Sequence, residues 1–187
     1  MALDRQKLYA GLVDAYTQGA EASSEEAAGL IASAIENYAR VAEILLFPGP
    51  MLIPGTPPVP STSQNAMVTV QTADLGTVAL KAAILGGFTA EDPALTAWAA
   101  GCQVYAAASF ISFMGSPPLV HLATGVAVMA VPPVLVPSIA IGLAGGEMKA
   151  VADSQATAIH SAFLATIFTG AGVGIDGGLG AVTGPLI

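Results

Sequence analysis

Residues 156–187 read ATAIHSAFLATIFTGAGVGIDGGLGAVTGPLI, and the change of character along them decides the fold. Through Ala162 the spacing is helical: Met148, Val151, Gln155, Ala158, Ile159 and Ala162 fall on one stripe at intervals of three and four. Past Ala162 that period stops, and a short apolar run gives way to glycine. The same succession occurs twice earlier. After Tyr38 comes ARVAEILLFPGPMLIPGTPPVPS, and after Tyr105 comes AAASFISFMGSPPLVHLATG. Equivalent points lie about 60 residues apart, and ASAIENY (32–38) resembles ATAIHSA (156–162), which suggests one unit used three times. The fold class implied is α+β, with amphipathic helices packed on short strands formed by the segments that follow them, and with long Pro/Gly-rich extended arms.

Three other helices are expected upstream. Leu8, Leu12, Ala15 and Tyr16 share a stripe within residues 3–18, and Gly19 is a natural stop. Ser23 can cap the second helix while Glu26, three residues on, reaches back to it, and Ala27, Ile31, Ala34, Ile35, Tyr38, Ala42 and Leu45 carry the spacing onward. Asp92-Pro93 supplies a cap and a first-turn proline for a third helix running through Leu95, Trp98, Cys102 and Tyr105. The segments between are extended. Met67 to Thr72 alternates and is β-branched, which predicts a strand; Ile44 to Phe47 and Ala165 to Thr169 suit strands or helix ends. PGTPPVP (54–60) and VPPVLVP (131–137) cannot occupy a sheet centre, because proline gives the ladder no donor. These features divide the chain into 1–66, 67–146 and 147–187, expected to act as one compact assembly unit.

Composition narrows the function. The 187 residues are 54% hydrophobic and 10% charged, against about a quarter charged in ordinary soluble domains. Too little charge is present to cover the surface of an isolated globule, so much of the exterior must face other protein or lipid. The five basic residues, Arg5, Lys7, Arg40, Lys81 and Lys149, do not cluster, and the net charge is −8, which excludes nucleic acid as a partner. Residues 93–146 carry no charge, the pattern of a membrane span, but Pro117, Pro118, Pro132, Pro133 and Pro137 interrupt them. Lipid offers no water for the backbone groups those prolines free, so burial against protein is favoured over membrane insertion. The amino-terminal MALDRQKLYAGL lacks the apolar stretch of a secretory signal.

Motifs with chemical meaning are few. Gly172 to Gly177 fits G-x-G-x-x-G, yet a dinucleotide site needs a helix opening at the third glycine, and GLGAVTGPLI follows instead. Gly142 and Gly146 form a G-x-x-x-G that Pro137 and Gly145 turn into a bend. Asp153 and His160 project from one helix face beside Ser154 and Ser161, a set that a hydrolase could use, but nothing adjacent supplies an oxyanion hole. His121 sits among apolar residues as a packing histidine; Trp98 and Tyr105 are core anchors; Cys102 is a small core residue. No catalytic residue, metal site or cofactor is expected.

The helix ending in ATAIHSA, its short apolar run and the Gly/Thr/Pro-rich TGAGVGIDGGLGAVTGPLI together resemble small virion proteins of tailed bacteriophages, mainly over 148–187 with a weaker echo over 25–61. The resemblance implies a structural subunit of the particle, in tail, neck or baseplate, made in the host cytoplasm. Such a subunit would assemble as a symmetric homo-oligomer and dock to other virion proteins. The rival reading is a small integral membrane protein, holin-like or a channel component. For the former, the segment from Gly170 to Ile187 is expected to be an arm that orders only on a partner, because its seven glycines lose much entropy on folding. Val173, Ile175, Leu179, Val182, Leu186 and Ile187 are its expected interface residues.

Overall fold

The structure, a computed structural model, describes residues 3–41, 43–48, 52–53, 55, 59–60, 66–69, 74–89, 110–114, 120–128, 147–174 and 179–185. Among them the chain is mixed α+β, with helices α1 (Arg5–Gly19), α2 (Ser24–Ala39), α3 (Asp74–Thr89) and α4 (Met148–Leu164). The strands are β1 (Glu43–Pro48), β2 (Leu52–Ile53), β3 (Val59–Pro60), β4 (Ala66–Thr69), β5 (Phe110–Met114), β6 (Val120–Val128), β7 (Ile167–Gly174) and β8 (Leu179–Pro185).

Helix ends form where the sequence offers caps. The Asp4 carboxylate accepts from the Gln6 N–H at 2.8 Å to start α1, and the helix runs to Gly19. At α2 the capping box closes: Ser23 Oγ accepts from the Glu26 N–H at 3.3 Å, and Glu26 accepts from the Ser23 N–H at 3.0 Å. The helices pack chiefly on each other, α1 against α2 and α4, and α2 against α3. Their buried faces are Leu8, Leu12 and Ala15; Ala28, Ile31, Ala32, Ile35, Tyr38 and Ala39; Leu80 and Ile84; and Ala152, Ala156, Ala158, Ile159, Ala162 and Phe163. Alanine stripes let the axes approach closely, and so helix meets helix where helix on strand was expected. Leu3, just ahead of α1, joins this helical core.

The strands form one antiparallel sheet in the order β3-β2-β8-β7-β6-β5, with β1 joining β8 and carrying β4. β3, within PGTPPVP, is at the end of that order, where proline is tolerated. β1 and β7 lie on the two sides of β8: Phe47 and Thr169 both pair with Thr183, and Pro48 and Gly170 both pair with Val182.

Three expectations change. The second helix stops at Ala39, short of Leu45, and of the two readings of Ile44 to Phe47 the strand holds, because EILLFP finds a ladder partner in β4. Residues 74–89 form a helix that the spacing did not suggest. The segment from Gly170 is not a free arm. Its first half continues β7 and pairs with β8 and β6, so the backbone hydrogen bonds of these glycines are met inside the chain's own sheet. The expected helix after Asp92, with Trp98, Cys102 and Tyr105, lies outside the described residues, as do VPPVLVP and the Gly142–Gly146 pair.

Candidate functional site

Two regions stand out, and the first is the sheet itself. Strands β5 to β8 contain no Asp, Glu, Lys or Arg. Their register aligns residues in rows across β6, β7 and β8: Val128, Ile167 and Pro185; Val126, Thr169 and Thr183; Thr124, Ala171 and Ala181; Leu122, Val173 and Leu179. Side chains alternate across a strand, so these rows make one face. The intervening positions make the other: Ala127, Phe168 and Gly184; Gly125, Gly170 and Val182; Ala123, Gly172 and Gly180.

The two faces differ in exposure. Gly172 and Gly184 are buried and Gly170 and Gly180 half-buried, while on the other face Val173 is half-buried and Thr169, Ala171, Ala181 and Thr183 are exposed, as are Ile167 at 51% and Leu179 at 52%. Glycine on alternate positions of β7 and β8 gives a thin covered side, and β-branched or small residues give a flat open side. An uncharged antiparallel sheet with one open face is unusual, since the solvated face ordinarily carries polar side chains.

Of the six expected interface residues, Val173 and Leu179 pair with each other on the open face. Val182 takes a register position on the glycine face. Ile175, Leu186 and Ile187 lie outside the described residues. Sequence reasoning passed over Ile167, Thr169, Ala171, Ala181 and Thr183. The signal was present as the alternation of glycine with larger residues in 167–184, which is a strand pattern of period two.

The second region is a polar seam along α4. Gln155, buried at 4% exposure, accepts a hydrogen bond from the Tyr16 hydroxyl. Two residues to either side of Gln155, Arg5 donates to Asp153 at 2.6 Å and to Thr157 at 3.1 Å. Further on, His160 Nδ1 lies 2.6 Å from the Tyr38 hydroxyl, and Tyr38 meets Phe163 edge to face at 5.6 Å between ring centres. Burial raises the Tyr16 phenol to about 12 against the smaller pull of Gln155. Burial, with the negative charge of Asp4, pushes Tyr38 upward as well. His160 is shifted down by burial and by the Arg5 charge, with Asp4 opposing. Both phenols therefore stay protonated near neutrality, and His160 is favoured as the neutral imidazole.

This arrangement sends Asp153 and His160 to different partners: Asp153 bridges to Arg5, and His160 bonds to Tyr38. Asp153 and His160, which share a helix face, fasten α4 to α1 and to α2. His121 is in β6, beside the register shift between Val120 and Leu122. Gly172 and Gly174, from the G-x-G-x-x-G match, are strand residues of β7, and another strand, β8, follows. Among the described residues no three His, Cys, Asp or Glu gather to hold a metal ion, and no helix is long and apolar enough to cross a membrane. Comparison with protein-family models, with curated proteins and with solved structures finds no match for this chain.

Proposed function

We propose that the chain is a non-enzymatic structural subunit that assembles with copies of itself, as a component of a tailed-phage particle in its tail, neck or baseplate. The observation that carries this is the open face of the sheet, with Ile167 and Leu179 about half exposed at its ends and no charge in any of its rows. Like charges make copies of a −8 chain repel one another. The uncharged sheet is the part of the described surface where two copies meet without that cost, and there the removal of apolar area from water favours contact at about 25 cal/mol per Å². The virion setting rests on the resemblance of 148–187.

The repeat is part of the same proposal. Two of its three copies run from a helix into a strand with equal spacing: β1 begins eight residues after Ile35, and β7 begins eight residues after Ile159. Ala32 and Ala156 are buried in equivalent places, as are Ile35 and Ile159. Both strands then flank β8. The proline-rich segments after these units are proposed to reach other virion proteins.

The test is the size of the full-length chain in detergent-free buffer, measured by light scattering at tens of micromolar, beside the variant Ala171→Glu. The wild type is expected to be a defined oligomer, and the variant a smaller species with the same far-ultraviolet circular dichroism. A monomeric wild type overturns the proposal. So does a chain extractable only with detergent and absent from purified particles, which would favour the integral membrane reading.

A further inference from the structure

We propose that His160 and Tyr38 form a pH-sensitive joint, which holds the ends of α2 and α4 together near neutrality and lets them part on acidification. The proposal is independent of the assembly argued above. Tyr38 is one residue from the end of α2, and His160 is four from the end of α4. Both helices hand the chain directly to the sheet: β1 begins at Glu43 and β7 at Ile167. Those two strands flank β8, so the Tyr38–His160 contact sets the spacing of the two chain exits on either side of one strand.

The contact has a defined polarity. The Tyr38 hydroxyl lies 2.6 Å from His160 Nδ1, and Tyr38 is only 3% exposed. The buried Tyr38 hydroxyl meets no other polar partner among the described residues, so its proton is satisfied when it donates and Nδ1 accepts, which places the imidazole proton on Nε2. A second proton would go on Nδ1 and turn the acceptor into a donor. The phenol would then have to accept, leaving its own proton without a partner in a buried site. The groups facing the ring do not relieve this. Arg5, at the start of α1, repels the imidazolium while engaged with Asp153 and Thr157, and Asp4 attracts it less effectively.

The direction of the pH dependence follows. The folded-state pKa of His160 lies below its ordinary 6.5, so its contribution is fully present above pH 6.5 and is lost as pH falls from there through the folded pKa. Between pH 7.5 and 5.0 the opening equilibrium at the joint can rise by at most about 30-fold, the limit set by an unfolded imidazole near 6.5.

Hydrogen exchange of the full-length chain, followed by mass spectrometry at pH 7.5 and 5.0 and corrected for intrinsic rates, reads this out. Protection in 36–48 and 158–170 is expected to fall several-fold in the wild type. In His160→Gln, whose amide oxygen can still accept from Tyr38 but does not titrate in this range, it is expected to change little. An equal fall in both proteins, or no fall in the wild type, overturns the proposal. Should the variant fail to fold, nitrogen-15 spectra of the wild-type imidazole decide: Nδ1 unprotonated at pH 7.5 and titration below 6.5 support the joint, and titration at or above 6.5 refutes it.

Discussion

Gly19 packs so closely on Ala27 that a methyl group on it would stand 3.1 Å from the Ala27 Cβ. Ala27 belongs to the neighbouring helix and cannot rotate away, so α1 and α2 would have to separate there. Gly86, on α3, has open space where its Cβ would be. The two glycines should answer oppositely to one substitution. Gly19→Ala is expected to destabilise by about 1 kcal/mol, a mild case of overpacking. Gly86→Ala is expected to stabilise by up to about 1 kcal/mol through helix propensity. Urea titration of both variants checks the difference in sign.

Tyr16 and Gln155 test the seam. Tyr16→Phe leaves the Gln155 carbonyl buried without its donor, which should cost about 1–3 kcal/mol. Adding Gln155→Met removes the orphaned polar group and should recover part of that loss. A double-mutant cycle by thermal or chemical unfolding measures the coupling. Additive losses would mean that the hydrogen bond contributes nothing of its own.

Alkaline pH should expose the same burial. The Tyr16 phenol titrates at about 12 in the folded chain instead of its ordinary 10.0, and Tyr38 is raised as well. A neutral acid whose folded pKa is raised contributes stability below its unfolded pKa, and that stability is lost as pH climbs through the folded value. Unfolding free energy should therefore decline from about pH 10 upward. Absorbance near 295 nm should show Tyr16 and Tyr38 ionising late, and Tyr16→Phe should remove one late step.

How much of this was legible in the sequence depends on where each element finds its partners. α1, the start of α2 and α4 were readable because caps and stripes are local: Ser23 and Glu26 meet each other, and Leu8, Leu12 and Ala15 repeat on one face. The stretch VAEILLF was legible only as a strand or a helix end. Ala42 and Leu45 continue the helical spacing of α2, and only pairing with Ala66–Thr69 and with Val182 and Thr183 makes 43–48 a strand. α3 escaped because DLGTVALKAAILGGFT has little polar contrast to mark the face that buries Leu80 and Ile84. The seam was out of reach for a different reason, since Tyr38 and His160 are 122 positions apart. Glycine in 170–184 was seen but weighed only as an entropy cost. Its placement on alternate positions, opposite Thr169, Ala171 and Ala181, is what turns the segment into a sheet with one thin and one open face.

Deleting 170–187 separates the two halves of the molecule. The deletion removes most of β7 and all of β8, and with β8 go the ladder partners of Phe47, Pro48 and Leu52. The buried hydrophobics of α1 to α4 are untouched, because none of them lies beyond Phe163. Those helices retain the Tyr16–Gln155 and Tyr38–His160 contacts, so helical circular dichroism should survive with a lower melting temperature. Exchange protection in 43–48 should collapse, because β1 keeps only β4 beside it and a two-stranded ribbon is marginal in water. Assembly should be lost as well, since the rows ending at Leu179, Ala181 and Thr183 no longer exist. A truncated chain that keeps protection in 43–48 would show that β8 is not what holds β1, and one that still forms the wild-type oligomer would show that copies meet elsewhere.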